Sequence, residues 1–137
     1  MLDKGIVMTS NCVFCRMLSN DIRKEILMQN DLAVVIRDTF PVSDGHSLII
    51  PRRHVSSFFD TSPEERTALM ELLDLTKKDL DRQFSPDDYN VGINDGPLAG
   101  QSVPHLHIHI IPRYQGDKDD PRGGVRWIIP EKAKYWK

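Results

Sequence analysis

His105-Leu-His107-Ile-His109-Ile-Ile111 alternates imidazole with aliphatic side chains from 105 to 110. In an extended chain, residues two apart point to the same face, so the stretch predicts a half-buried strand over 105–111. Leu106, Ile108 and Ile110 then face a core. The three histidines form a row on the other face, with about 6.6 Å between successive positions. Neighbouring imidazoles disfavour one another's cationic forms, so the row favours neutral rings. A neutral imidazole can serve as a nucleophile, a proton carrier or a metal ligand. A run of surface histidines is the bland alternative, and it leaves the strict alternation with aliphatics unexplained.

Just upstream lies Asn94-Asp-Gly-Pro-Leu-Ala-Gly-Gln-Ser-Val-Pro104. Its glycines and prolines predict a loop whose backbone N–H groups can face an anion. Asn94, Gln101 and Ser102 add neutral hydrogen-bond donors. Alone, the segment reads equally as a tight connection. Beside the histidine row, with no acidic cluster for Mg²⁺, it fits a phosphate held and attacked without a catalytic metal. A cupin-like His-x-His metal site would need a nearby Glu, and none follows before Glu131.

Further out, Ser62-Pro63-Glu64-Glu65 predicts a capped helix from Pro63 to Phe84. Leu69, Leu72, Leu73, Thr76, Leu80 and Phe84 form its buried face, and Ser85-Pro86 ends it. Glu25–Met28 and Leu32–Ile36 flank a Gln-Asn-Asp turn and predict a hairpin. Gly45–Pro51 and Tyr89–Asn94 predict two more strands, and a short helix is expected around His54–Phe59. A polar loop follows Pro112, with Val125–Pro130 expected to return as a short strand. Strands arriving as hairpins, with one long helix between the third and fourth, predict an α+β domain on an antiparallel sheet. At 137 residues the chain suits one domain, with a core over about 12–113 and an extension over 114–137.

A net charge of −2 with both signs mixed gives no general attraction for nucleic acid or an acidic membrane surface. The longest apolar run, Leu32–Ile36, is far short of a membrane span, and no secretory h-region precedes Cys12. A cytosolic protein is the expectation. Cys12-Val-Phe-Cys15 has the spacing of half a zinc site; a redox dithiol or two idle thiols are its alternatives.

Gly100-Gln-Ser-Val-Pro-His105-Leu-His107-Ile-His109-Ile-Ile-Pro-Arg113 resembles the defining motif of the histidine triad (HIT) family of nucleotide hydrolases and transferases, His-φ-His-φ-His-φ-φ with φ apolar. The resemblance runs from Cys12 to Arg113 and includes Asp38 and Gly45-His46-Ser-Leu-Ile-Ile-Pro-Arg-Arg-His54. It implies a HIT-like fold of about five antiparallel strands with one long and one short helix. It also implies that His107 attacks a nucleotide's α-phosphate to give a covalent nucleotidyl-histidine, which water then hydrolyses to release a nucleoside monophosphate. His109 would bind phosphoryl oxygens or help protonate the leaving group, with His46 in the network behind. Asn94, Gln101 and Ser102 match phosphate-contacting positions, Asp38 the ribose-binding position and Ile36 a wall of the base pocket. On the residues alone, Asp38 also reads as a turn residue before Pro41.

The same resemblance places a structural zinc on Cys12, Cys15, His54 and His105, and makes the protein a homodimer. Tyr135 and Trp136 could then reach the partner's site or simply dock locally. The loop and Pro112-Arg113 are similar to the branch that cleaves dinucleoside polyphosphates, diadenosine tetraphosphate being the first choice. Asp38 is more similar to the nucleoside phosphoramidase branch. A nucleotide-binding module without turnover is the non-catalytic alternative.

Overall fold

The aliphatic half of the histidine stretch is buried as its alternation predicts. Leu106, Ile108 and Ile110 are sealed in a core with Ala33, Val35, Ile49, Leu69, Leu72 and Leu80. The computed structural model describes residues 11–19 and 25–137; segment 1–10, where a secretory signal was sought, lies outside them. Strands β1 (Met28–Gln29), β2 (Ala33–Arg37), β3 (Ser47–Pro51), β4 (Asp88–Gly92) and β5 (Ile108–Arg113) form one sheet. Its order is β1-β2-β3-β5-β4, and every neighbouring pair is antiparallel. The helices are α1 (Val13–Ser19), α2 (Pro63–Phe84) and α3 (Pro130–Ala133). The α+β expectation is met.

Strand alternation divides this sheet into two working faces. Ala33, Val35, Ile49, Ile108 and Ile110 turn toward α2, whose Leu69, Leu72 and Leu80 complete that layer. Leu73 and Phe84 pack against it only partly buried. On the opposite face Val34, Ile36, Leu48 and Ile50 meet Cys12, Phe14, Cys15 and Met17 of the α1 region. The site is built on this second face, and α2 braces the sheet from behind.

The start of α2 is fixed as its sequence predicts. Ser62 Oγ accepts from Glu65 N at 3.1 Å, and Glu65 Oε1 accepts from Ser62 N at 2.9 Å. Glu65 also receives Arg53 Nε and Nη2 at 3.0 and 2.7 Å, which anchors the residue before His54. The β1–β2 turn is closed by Asn30, whose Oδ1 accepts from Leu32 N and Ala33 N while its Nδ2 reaches Ala68 O on α2.

Several elements differ from expectation. The first strand, expected over Glu25–Met28, is Met28–Gln29, and the fourth, expected over Tyr89–Asn94, is Asp88–Gly92. β5 begins at Ile108, not His105, so His105 and His107 precede the ladder. The carbonyl of His105 accepts from the His107 ring, which takes it out of strand pairing. The expected strand 125–130 is instead a 3₁₀ helix, Gly124–Ile128, because Gly123 and Gly124 take φ of 97° and 47° and wind the chain. The short helix around His54–Phe59 shrinks to a 3₁₀ turn, Phe58–Asp60.

Gly45 turns the chain at φ 90° just before His46, the residue that leads into β3, with Leu80 Cδ2 and Phe84 Cδ2 each 3.0 Å from where a Cβ would stand. Gly45→Ala should therefore destabilise the fold by roughly 2 kcal/mol or more, through left-handed backbone strain and a crowded core edge. Denaturant unfolding checks this, and a loss below half that would mean the turn relaxes freely.

Candidate active site

Each histidine of the site has one ring nitrogen committed to a partner that sets its tautomer. His107 Nδ1 lies 2.8 Å from the carbonyl oxygen of His105, so Nδ1 carries the hydrogen and donates. Nε2 of His107 is then a bare lone pair, with no hydrogen-bond partner among the described residues. His46 Nδ1 accepts from Val42 N at 3.1 Å, so Nε2 bears the proton. That N–H points to His109 Nδ1 at 2.9 Å, with Asp38 Oδ2 at 3.4 Å. His109 Nδ1 accepts, which leaves an N–H on Nε2. The pair therefore presents a lone pair on His107 beside a donor on His109, their ring centroids 5.1 Å apart. A lone pair next to a donor is what in-line attack on a phosphoryl group requires.

His105 faces elsewhere. It is fully buried, and its Nε2 donates to Pro51 O at 2.8 Å, which leaves Nδ1 as an acceptor. That atom lies 3.4 Å from Cys12 Sγ, 3.5 Å from Cys15 Sγ and 3.3 Å from His54 Nδ1. Cys15 Sγ lies 3.2 Å from His54 Nδ1. All four ligand atoms fall within 4.8 Å of one another. A tetrahedral zinc with ordinary Zn–S and Zn–N bonds sets ligand separations of about 3.3–3.8 Å, so the residues present fit such an ion.

Phe14 was not singled out by the sequence reading. It lies between the two cysteines, and its ring meets His105 and His107 edge-on, with centroids 5.7 and 5.4 Å away. An aromatic inside a Cys-x-x-Cys turn is the one signal that could have marked it. Phe14 also lines a cavity of about 520 Å³ between α1 and β2, together with Met17, Ile36 and Asp38. A larger cavity, about 760 Å³, opens on the far side and is bordered by His46, His109 and Asn94.

The loop residues separate. Asn94 is half-buried at the mouth of the larger cavity. Gln101 braces the loop, its Oε1 accepting from Gly96 N at 2.8 Å and its Nε2 donating to Ser56 O at 3.0 Å. Ser102 is exposed. Asp38 Oδ1 caps its own turn by accepting from Phe40 N at 2.8 Å, and its other oxygen faces His46. Tyr135 packs edge-on against Trp136 within the C-terminal segment.

The site is electrically quiet. Burial, then the nearby His107 and His46, push His109 down to about 4, against a weaker upward pull from Asp38. Burial likewise lowers His46, opposed by Asp38, and brings His105 to about 4. For His109 the unfolded chain, titrating near 6.5, binds the proton first. The stability of the neutral ring is thus intact above about pH 6.5 and lost as pH falls toward 4. His109→Gln should flatten the fall of unfolding free energy over that window by about 1 kcal/mol per pH unit. Equal slopes in the two proteins would show that the ring is not held neutral.

A HIT domain model matches residues 19–116. The adenosine 5'-monophosphoramidase hnt1 of Schizosaccharomyces pombe is 34% identical over 128 residues, covering 90% of this chain and 91% of its own. The asymmetrical bis(5'-nucleosyl)-tetraphosphatase of the same yeast is 37% identical over 93 residues, which span 68% of this chain and 51% of the relative. A zinc-bound histidine triad family protein from Mycobacterium smegmatis superposes with a TM-score of 0.71 at 29% identity, covering 90% of this chain and 94% of that one. With the domain match and the phosphoramidase-length relative both extending through its imidazole cluster, the chain belongs to the HIT family.

Proposed function

We propose that this protein is a cytosolic nucleotide hydrolase that works through a covalent nucleotidyl-histidine on His107. The observation that carries this reading is the 2.8 Å hydrogen bond from His107 Nδ1 to the His105 carbonyl, which leaves Nε2 free to attack. The smaller cavity supplies apolar walls at Phe14 and Ile36 for a base, with the Asp38 carboxylate beside them for ribose hydroxyls. Asn94 borders the larger cavity, and Gln101 and Ser102 on the following loop are assigned to donate to the phosphates with it.

In the first step Nε2 of His107 bonds to the α-phosphorus. The bond to the leaving atom breaks, and its electron pair departs with the leaving group. His109 Nε2–H, supported by His46, donates to the oxygens that gain charge. In the second step water bonds to the phosphorus, the N–P bond returns its pair to His107, and a nucleoside monophosphate leaves with the proton released. Relatives named as a phosphoramidase and as a tetraphosphatase support hydrolysis at the α-phosphate of a nucleotide. A dinucleoside polyphosphate is the first choice of substrate, since the larger cavity, about 760 Å³, leaves room beyond His109 for a bulky leaving group.

Zinc on Cys12, Cys15, His54 and His105 belongs to the same reading and would contribute fixed geometry only, since four protein ligands close the shell. Among the described residues β4 is an edge strand of the sheet and carries the exposed Val91, which is compatible with a homodimer.

Two measurements test the reading. Wild-type protein should release AMP from diadenosine tetraphosphate or adenosine phosphoramidate, and His107→Ala should lose on the order of 10³-fold or more in kcat. AMP release undiminished in that variant, or a trapped nucleotide on another residue, would reassign the nucleophile. Metal analysis of protein purified without chelators should find about one zinc per chain, lost in Cys12→Ser with a lowered Tm. A zinc content far below that in wild type removes the metal site.

A further inference from the structure

The loop between β4 and His105 closes on itself around one residue. Gly96 O accepts from Ala99 N at 3.0 Å and from Gln101 N at 3.1 Å, while Gly96 N donates to Gln101 Oε1 at 2.8 Å. A turn wound on its own hub can still pivot as a body, so its aim depends on what ties it to the fold. Ties of this kind run to the short segment Ser56–Phe58. Gln101 Nε2 donates to Ser56 O at 3.0 Å, and Ser56 Oγ donates to Pro104 O at 2.8 Å. A charged tie comes from the residue just before the hub. One carboxylate oxygen of Asp95, Oδ2, accepts from Phe58 N at 2.9 Å and from Ser57 Oγ at 3.1 Å. Hydrogen bonds to a carboxylate are roughly twice as strong as neutral ones.

The segment is a firm anchor because both of its ends are fixed to the start of α2. Upstream, Arg53 donates Nε and Nη2 to the Glu65 carboxylate, and Nη2 also reaches Asp60 O at 3.0 Å. Downstream, Phe58 O accepts from Thr61 N at 3.2 Å, and the Arg66 guanidinium lies 4.8 Å from the centroid of the Phe58 ring. Between these ends Val55 O accepts from the backbone of Leu106, the residue between the first two histidines of the row. One short piece of chain therefore holds the histidine stretch at Val55 and the loop at Ser57 and Phe58, which sets the spacing between them.

Asn94 is the chain neighbour of Asp95 and borders the cavity at His109, and Gln101 and Ser102 follow on the same loop. An acidic residue so near groups assigned to phosphate is electrostatically unfavourable unless its geometry offsets the repulsion, and here Oδ2 is committed to Ser57 and Phe58. We propose that Asp95 is a positioning residue of the hydrolytic reaction. Through Ser57 and Phe58 it fixes the loop from Asn94 to Ser102 at the distance from His107 and His109 at which its donors meet the phosphates. This rests on the hydrolase reading above and adds to it a residue that acts through others. Fixed donors matter because a misplacement of about 1 Å can cost on the order of 10²-fold in rate. The role needs a hydrogen-bond acceptor at Oδ2, not a negative charge.

Single turnover of adenosine phosphoramidate under a saturating excess of enzyme, read as the first-order rate constant for AMP release, tests the role. Inactive protein dilutes the enzyme without changing that constant, so a loss of folded material does not mimic the effect. Asp95→Ala should slow release about tenfold. Asp95→Asn, whose amide oxygen can still accept both hydrogen bonds, should stay within about threefold of wild type. A loss under about threefold in Asp95→Ala overturns the positioning role while leaving the hydrolase reading intact, as does an Asp95→Asn as slow as the alanine variant. If Asp95→Ala does not fold, Ser57→Ala decides instead. It removes one of the two donors and should slow release about threefold, and an unchanged constant there overturns the role. Wild-type protein that releases AMP from neither adenosine phosphoramidate nor diadenosine tetraphosphate overturns the hydrolase reading and the role together.

Discussion

The site is organised around a single hydrogen bond, from His107 Nδ1–H to the carbonyl of His105, 2.8 Å long. It sets which nitrogen of the middle imidazole is basic, and it spans only two residues. Such a short link holds only if the His105 backbone cannot turn. That backbone is held by Leu106 N donating to Val55 O at 2.7 Å, by His105 N donating to Val103 O at 2.8 Å, and by a buried ring tied to Pro51 O. The Cys12, Cys15, His54 and His105 cluster lies at the other end of that ring, so anything that draws those four together also steadies the carbonyl. Arg53 and Glu65 pass the same restraint on to the start of α2.

A second chain of hydrogen bonds approaches from the other side. Val42 N sets the His46 tautomer, His46 sets that of His109, and Asp38 leans on His46 from 3.4 Å. The two chains are independent in sequence and converge only at the 107–109 pair. Backbone groups anchor both, which makes the tautomers a property of the fold and not of the solvent. Leu48 pairs with His109 across β3 and β5, so the sheet register itself brings His46 within reach of the third histidine.

Much of this was legible because β-structure repeats every two residues. Alternation alone separated Leu106, Ile108 and Ile110 from the histidines, and the capping box and leucine spacing placed α2 to the residue. The limits of β5 were not legible, since nothing in His105-Leu-His107 announces that a carbonyl will serve a ring in place of a neighbouring strand. Val125-Arg-Trp-Ile-Ile129 has strand-like composition, yet Gly123 and Gly124 in left-handed conformations outweigh it. Phe14 was hidden for another reason. Its importance lies in edge-on contacts with residues over ninety positions away, and no local pattern encodes them. Gln101 reads from sequence as a phosphate donor, and the fold adds a second task that no local pattern encodes, bracing the loop through Gly96 N and Ser56 O with one Nε2 hydrogen left over.

The electrostatics of the site bear on an apparent mismatch between the anionic nucleotide proposed as substrate and a chain of net charge −2. A cation beside the α-phosphate would strengthen ground-state binding about as much as it stabilised the transition state, which lowers KM without raising kcat. Neutral N–H groups act differently. Their hydrogen bonds strengthen as charge moves onto the oxygens they face, and in a buried setting they need little reorganisation to respond. Burial holds His109 neutral at physiological pH, and the nearby imidazoles reinforce the effect. In the proposed mechanism a cation near the phosphorus would also oppose the imidazolium formed on His107 by its attack. On that mechanism, a neutral inner site leaves the stabilisation of moving charge to N–H groups fixed by the fold.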